Sequence, residues 1–219
     1  MLEGPMIPPA AGGPAQSLVI LLHGYGSNGD DLMGLVPYWR AALPNTVFAS
    51  PNAPQICPGA PGGYQWWALT NTSAGGRAAG VRQPASALNA YIDAQLALYG
   101  LPDERLALVG FSQGTMMALH IGPRRARPLA GIVGYSGMLA DPAELATEVL
   151  TRPPVLLVHG DADEVLPVAS LNQAKLGLEA AAIDVVTHVS PGLGHSIDEP
   201  GLRLGMTFLA HRLGRPLGV

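Results

Sequence analysis

The sequence predicts an α/β domain with a mainly parallel central sheet and helices on both of its faces. Three observations carry this. Continuous apolar runs of strand length recur along the chain: Ser17–Leu22, Val47–Ser50, Leu106–Val109, Leu129–Tyr135 and Pro154–Val158, with a further strand at Asp184–Val189. Runs of this kind belong to strands buried on both faces, as in a parallel sheet covered by helices. Segments of helical character alternate with them, the order that builds strand–helix–strand units. Finally, Gly110-Phe111-Ser112-Gln113-Gly114 lies between one such run and a helix-forming segment. That is the context in which Gly-x-Ser-x-Gly forms a sharp strand-to-helix turn.

Composition narrows the possibilities. The chain has 219 residues, of which 48% are hydrophobic, enough for the core of one sizeable domain. A single domain is expected over residues 17–219. Residues 1–16, rich in Pro, Gly and Ala, are expected to form a loosely held lead-in. They lack the basic start and apolar run of a signal peptide. No apolar stretch reaches the roughly 18 residues that a membrane span needs, so stable membrane insertion is not expected. Charged residues make up 13% and the net charge is -4, with no basic stripe, which argues against nucleic acid as a partner. Arg124, Arg125 and Arg127 are expected to close the helix that begins at Gln113 and to favour its dipole. The single cysteine, Cys57, excludes an internal disulfide and a cysteine-based metal site, and a reducing, cytoplasmic setting is the default.

Taken in order, the strand Ser17–Leu22 leads into a turn-rich loop, His23 to Asp31. Asp30 or Asp31 is positioned to cap a helix carrying Leu32, Leu35 and Val36. The strand at Val47–Ser50 ends at Pro51-Asn52-Ala53-Pro54. Gln55 to Val81 reads as irregular, and a long irregular segment in a compact domain is usually functional. Its adjacent Trp66 and Trp67 are expected to pack on the core or wall a pocket. Pro84–Tyr99 has helical spacing of Leu88, Tyr91, Ile92, Leu96 and Tyr99, and Gly100-Leu101-Pro102 stops it. After the central strand and its turn come the strand at Leu129–Tyr135 and the strand at Pro154–Val158. A helix near Pro167–Ala181, the strand Asp184–Val189 and a closing helix near Glu199–Leu213 complete the chain.

The chemistry starts at Ser112. The tight turn holds a serine in strained backbone, and glycines two before and two after leave room for close neighbours. Serine is a weak nucleophile until a base of near-neutral pKa takes its proton, and that base needs an orienting carboxylate. In folds of this type the order is Ser, then Asp or Glu, then His, and sites lie beyond the carboxyl ends of the strands. His195 follows the last strand in a glycine-rich loop and is the expected base. His120 lies down the helix after Ser112, His159 ends an apolar strand, His188 lies inside a strand and His211 falls in the closing helix. Asp163 is the expected acid and Asp161 its rival, since both follow the strand ending at Val158; Asp141 and Asp198 are weaker candidates. Backbone N–H groups of Tyr25, between glycines in the first loop, and of Gln113, at the helix start, are the expected oxyanion donors.

Leu22-His23-Gly24-Tyr25-Gly26, Pro51-Asn52-Ala53-Pro54, Gly110-Phe111-Ser112-Gln113-Gly114, His159-Gly160-Asp161-x-Asp163-x-Val165-x-Pro167 and Gly194-His195 together resemble the phospholipase/carboxylesterase family of α/β-hydrolases. The resemblance spans about Ser17 to Leu213. It implies an α/β-hydrolase fold without a large lid domain and a serine esterase acting on small-molecule esters. Acyl-protein thioesterase and lysophospholipase activities use the same triad. It implies Asp163 rather than Asp161 as the acid, Tyr25 and Gln113 as oxyanion donors, no cofactor, no metal and a homodimer. Trp66-Trp67-Ala68 stands where the family often has Trp-Phe-Asp, and Gly137-Met138-Leu139-Ala140 where it often has Gly-aromatic-Leu-Pro. Trp66, Trp67, Met138 and Leu139 are therefore expected to border the substrate. A non-catalytic binding protein on the same fold would lack a triad member, and none is missing.

Overall fold

The computed structural model describes residues 1–214, so residues 215–219 of the expected domain lie outside the described residues. Among the described residues nine strands form: β1 (Met6–Ile7), β2 (Ser17–Leu22), β3 (Thr46–Ala49), β4 (Gln55–Ile56), β5 (Tyr64–Gln65), β6 (Leu106–Phe111), β7 (Gly131–Tyr135), β8 (Val155–Gly160) and β9 (Val185–Ser190). Between them run α1 (Gly29–Met33), α2 (Val36–Trp39), α3 (Ala74–Arg82), α4 (Ala85–Tyr99), α5 (Gln113–Ile121), α6 (Pro142–Glu148), α7 (Ala169–Ala180) and α8 (Glu199–Leu213). Seven strands make the main sheet in the order β1-β3-β2-β6-β7-β8-β9. Within that sheet, among the described residues, only the β1–β3 pair is antiparallel.

The apolar runs divide between the two faces by strand alternation. In β2, Leu18, Ile20 and Leu22 join Leu88 and Ile92 of α4 and Met117 of α5 on one face. Val19 and Leu21 join Trp39 of α2 and Leu209 and Leu213 of α8 on the other. Trp39 is fully buried, and its indole N–H donates to the Leu202 carbonyl at 3.0 Å, which ties α2 to α8 across their shared face.

Local chemistry shifts several expected boundaries. The helix expected around Leu32 to Val36 breaks into α1 and α2. Its cap is Asn28, whose side chain accepts from the Asp30 N–H at 3.0 Å; Asp31 instead accepts from the Ser27 hydroxyl. Asn28 takes the role because it alone has the extended backbone that an N-cap needs. Residues 3–7 are tied down: Met6 and Ile7 pair with Ala49 and Phe48, and Asn52 N–H donates to the Glu3 carbonyl. Pro5, just before the strand, and Pro8, just after it, are compatible with the outermost strand of the sheet. The segment 55–81, read as irregular, contains the small β4–β5 ribbon and α3, capped by Ser73. Glycines 75, 76 and 80 hide α3 from any periodicity argument.

The arginine cluster closes α5 as expected through one bond, Arg124 Nη1 to the His120 carbonyl at 3.0 Å. The rest of its work is ionic. Arg124 holds buried Asp141 and half-exposed Glu148, and Arg82 joins them from α3. Arg125 pairs with Asp93 and Asp103. These contacts fasten α3, the end of α5 and α6 to one another and tie the chain after α5 to α4.

Candidate active site

The site grows out of the turn between β6 and α5. Ser112 has φ 53° and ψ -114°, a conformation that side chains rarely adopt. It persists because its surroundings over-determine it. The Ser112 N–H donates to the Tyr135 carbonyl of β7 at 2.9 Å. The Thr115 hydroxyl, one residue past the pentapeptide, lies 2.8 Å from the Gly110 carbonyl and 2.9 Å from the same Tyr135 carbonyl. A Cβ on Gly110 would stand 2.4 Å from Thr115 N, and one on Gly114 would stand 1.8 Å from the Leu22 carbonyl oxygen. The glycines therefore permit helix, strand and neighbouring strand end to close on one another.

The loop after β2 lies against this turn. A Cβ added to Gly24 would meet the Ser112 Cβ at 3.4 Å. The loop is held by His23, which is fully buried. Its Nε2 accepts from the Ala53 N–H at 3.0 Å, so the ring proton sits on Nδ1 and is donated to the Gly24 carbonyl at 2.7 Å. Burial pushes the His23 pKa below its ordinary 6.5, against the raising effect of the Gly24 bond. The unfolded chain thus binds a proton near pH 6.5 that the folded one refuses. His23 accordingly contributes stability above that pH, lost as pH falls towards the folded value. Melting temperature followed from pH 7.5 to 5 is expected to fall less steeply in His23→Asn than in the native chain.

Tyr25 follows in a turn, and its N–H has no hydrogen-bond partner among the described residues. Gln113 is the first residue of α5, so its N–H has no carbonyl a turn earlier to bond, and it sits at the positive end of the helix. Its side chain is buried and fixed at both ends. Gln113 Oε1 accepts from the Trp66 N–H at 2.9 Å, and Nε2 donates to the Trp67 carbonyl at 2.9 Å. Gln113→Ala would leave the Trp66 N–H buried without a partner, a loss of about 1–3 kcal/mol. Urea unfolding should show that loss, together with a fall in kcat as the turn loosens.

The expected acid and base come from beyond the far strands β8 and β9. Asp163 Oδ2 accepts from His195 Nδ1 at 2.7 Å, while Oδ1 accepts from the Val165 and Leu166 N–H groups at 2.9 and 2.8 Å. Burial alone would raise the Asp163 pKa. The bond from Leu166 and the bond and charge of His195 outweigh it and hold the carboxyl below its ordinary range. Asp161, its rival in sequence, instead accepts from the Gly192 N–H at 2.6 Å and shapes the loop that carries His195. Gly160 lets that loop lie close, since a Cβ there would be 2.1 Å from the Leu193 carbonyl oxygen. His195 packs its ring on Phe111, centroids 4.9 Å apart, one residue before Ser112. No hydrogen bond joins the Ser112 hydroxyl to the His195 ring among the described residues. Such bonds are often long before substrate arrives.

The other candidates lie elsewhere. His120 Nδ1 is 2.7 Å from buried Asp141, on the far side of α5. His159 Nε2 lies 2.8 Å from the Leu166 carbonyl and 3.3 Å from Asp163 Oδ2, so it packs against the expected acid, and Asp198 caps α8. His188 lies in β9 and His211 in α8. A cleft of about 440 Å³ opens beside Ser112, and Tyr25, Gln113 and Met138 line it. The expectation for Trp66, Trp67 and Leu139 is corrected. Both tryptophans are fully buried and Leu139 packs against α7, so none of the three lines the cleft. The indole of Trp66 turns inward because its N–H donates to the His23 carbonyl at 3.0 Å. The support that the side chains of Gln113, Thr115 and His23 provide has no signature in the sequence, although each stands at or within three residues of an expected site residue.

A strained serine at a strand-to-helix turn, an Asp–His pair beyond β8 and β9, and a parallel sheet covered on both faces define an α/β-hydrolase. The chain belongs to the phospholipase/carboxylesterase family, whose model matches residues 7–213. It is 28% identical over 201 residues to esterase YpfH of Escherichia coli, covering 91% of this chain and 84% of that protein. It is 30% identical over 213 residues to acyl-protein thioesterase 1 of Neurospora crassa, covering 89% of this chain and 86% of that one. The crystal structure of esterase PE8 matches with a TM-score of 0.92 and 43% identity, covering 97% of this chain and 99% of that chain. The protein is accordingly a hydrolase of the carboxylic-ester type.

Proposed function

We propose that the protein hydrolyses small to medium carboxylic esters through an acyl-enzyme on Ser112. His195 takes the hydroxyl proton as Ser112 attacks the ester carbonyl, then gives it to the departing alcohol. Asp163 keeps the imidazole in the tautomer that leaves Nε2 free to act. The N–H groups of Tyr25 and Gln113 stabilise the tetrahedral oxyanion; removal of one such donor costs about 3 kcal/mol in a protease. Water, activated by the same histidine, releases the acid. The carrying observation is the 2.7 Å Asp163–His195 bond, beyond the same strand ends as the strained serine. The cleft of about 440 Å³, largely apolar, suits an acyl chain of modest length.

A thioester reading is supported by the similarity to acyl-protein thioesterase 1. Rates on matched oxygen ester, thioester and lysophospholipid substrates separate these readings. A fluorophosphonate probe tests the shared step: one equivalent should add to Ser112, located by peptide mass mapping. Labelling elsewhere, or none, would remove the mechanism. A cytoplasmic setting and a homodimer complete the proposal; molar mass by light scattering checks the second.

A further inference from the structure

The cleft beside Ser112 is walled mainly by apolar side chains, among them Leu69, Met116, Met138 and Val165. Arg77, from α3, is the only formally charged residue of that lining among the described residues. Its Nη1 donates to the carbonyl of Thr72, which also lines the cleft. No carboxylate pairs with it among the described residues. Neighbouring arginines differ: Arg82, Arg124 and Arg125 each hold at least one Asp or Glu. The polar groups on the facing elements, Tyr25, Gln113 and Ser170, are uncharged in their ordinary state. A guanidinium has five N–H donors in a planar fork that matches a carboxylate, and here most of them are unspent.

A cation on an apolar wall with no protein counter-ion is suited to an anion that arrives with the substrate. We propose that Arg77 is a specificity-determining residue, selecting esters that carry a second, free carboxylate. One guanidinium with no further cation in the lining matches a single negative charge better than a doubly charged phosphate. The net charge of -4 does not oppose this at short range, since fields beyond roughly 8 Å are screened at physiological salt. The inference rests on Ser112 being the nucleophile of this cleft.

The test compares kcat/KM for carboxylate-bearing esters with that for neutral partners of similar size. Mono-4-nitrophenyl succinate against 4-nitrophenyl butyrate places the charge on the acyl side. 4-Acetoxybenzoate against phenyl acetate places it on the leaving group. In Arg77→Gln the charged-to-neutral ratio is expected to fall about tenfold for one of the two pairs, mainly through KM, and that pair identifies the side. Arg77→Lys should recover part of the ratio, because it keeps the charge and loses the fork. In the native enzyme, 0.5 M NaCl should lower the same ratio, a reading that does not depend on any variant folding. Ratios unchanged by Arg77→Gln in both pairs, and unmoved by salt, overturn the proposal. Turnover of 4-nitrophenyl butyrate that survives Ser112→Ala would instead remove the reading beneath it, and the inference with it.

Discussion

Ser112→Ala is expected to lower kcat/KM for 4-nitrophenyl butyrate by at least about ten-thousandfold, in line with the loss of a triad serine elsewhere. The alanine keeps the turn and removes only the oxygen proposed to attack. Binding of a non-hydrolysable analogue should therefore survive while turnover does not. Ser112→Gly separates chemistry from strain. Ser112 holds φ 53° and ψ -114°, and a residue in such a region costs about 1–3 kcal/mol. Glycine relieves that cost, and a domain of this size gains roughly 2–4 °C in melting temperature per kcal/mol. Ser112→Gly should then be inactive and more heat-resistant than the native chain, the exchange of stability for function seen where an active site is strained. Near-native hydrolysis by either variant would place the nucleophile elsewhere.

The second large effect falls on Gly114. A Cβ there would stand 1.8 Å from the Leu22 carbonyl oxygen and 2.8 Å from that of His23. Both obstacles are backbone, so no side chain can swing away. Gly114→Ala must push α5 from the end of β2 or break the turn, and a loss above about 4 kcal/mol is expected, at the extreme for single substitutions. Equilibrium urea unfolding measures it. Gly75 is the control: it lies in α3 with nothing within 4 Å of an added Cβ, and Gly75→Ala should stabilise by about 0.5–1 kcal/mol through helix propensity. A native-like midpoint for Gly114→Ala would contradict the packing described here.

What could be read from the residues, and what could not, follows the range of the interaction. Ser17–Leu22 and Leu106–Phe111 declare themselves because runs of six and five consecutive buried positions are filled almost wholly by apolar residues. The closing helix, residues 199–213, is delimited by Asp198 at its start, a local signal. By contrast, α3 carries three glycines and is held by Arg82 reaching Glu148, a partner 66 positions away. The inward turn of Trp66 is decided by the His23 carbonyl, and no property of Trp66-Trp67 announces it. Asp161 and Asp163 looked alike in sequence because both follow β8; only the path of the next loop gives one Gly192 and the other His195.

The two clasps of Gln113 on Trp66 and Trp67 join the loop before α3 to the nucleophile turn as one rigid block. Anyone seeking to widen this enzyme's acyl selectivity by redesign would gain little from carving at the tryptophans, because the damage would travel to a donor N–H. The tolerant ground lies opposite, at Met138 and Val165, where side chains can be exchanged without disturbing the machinery they face.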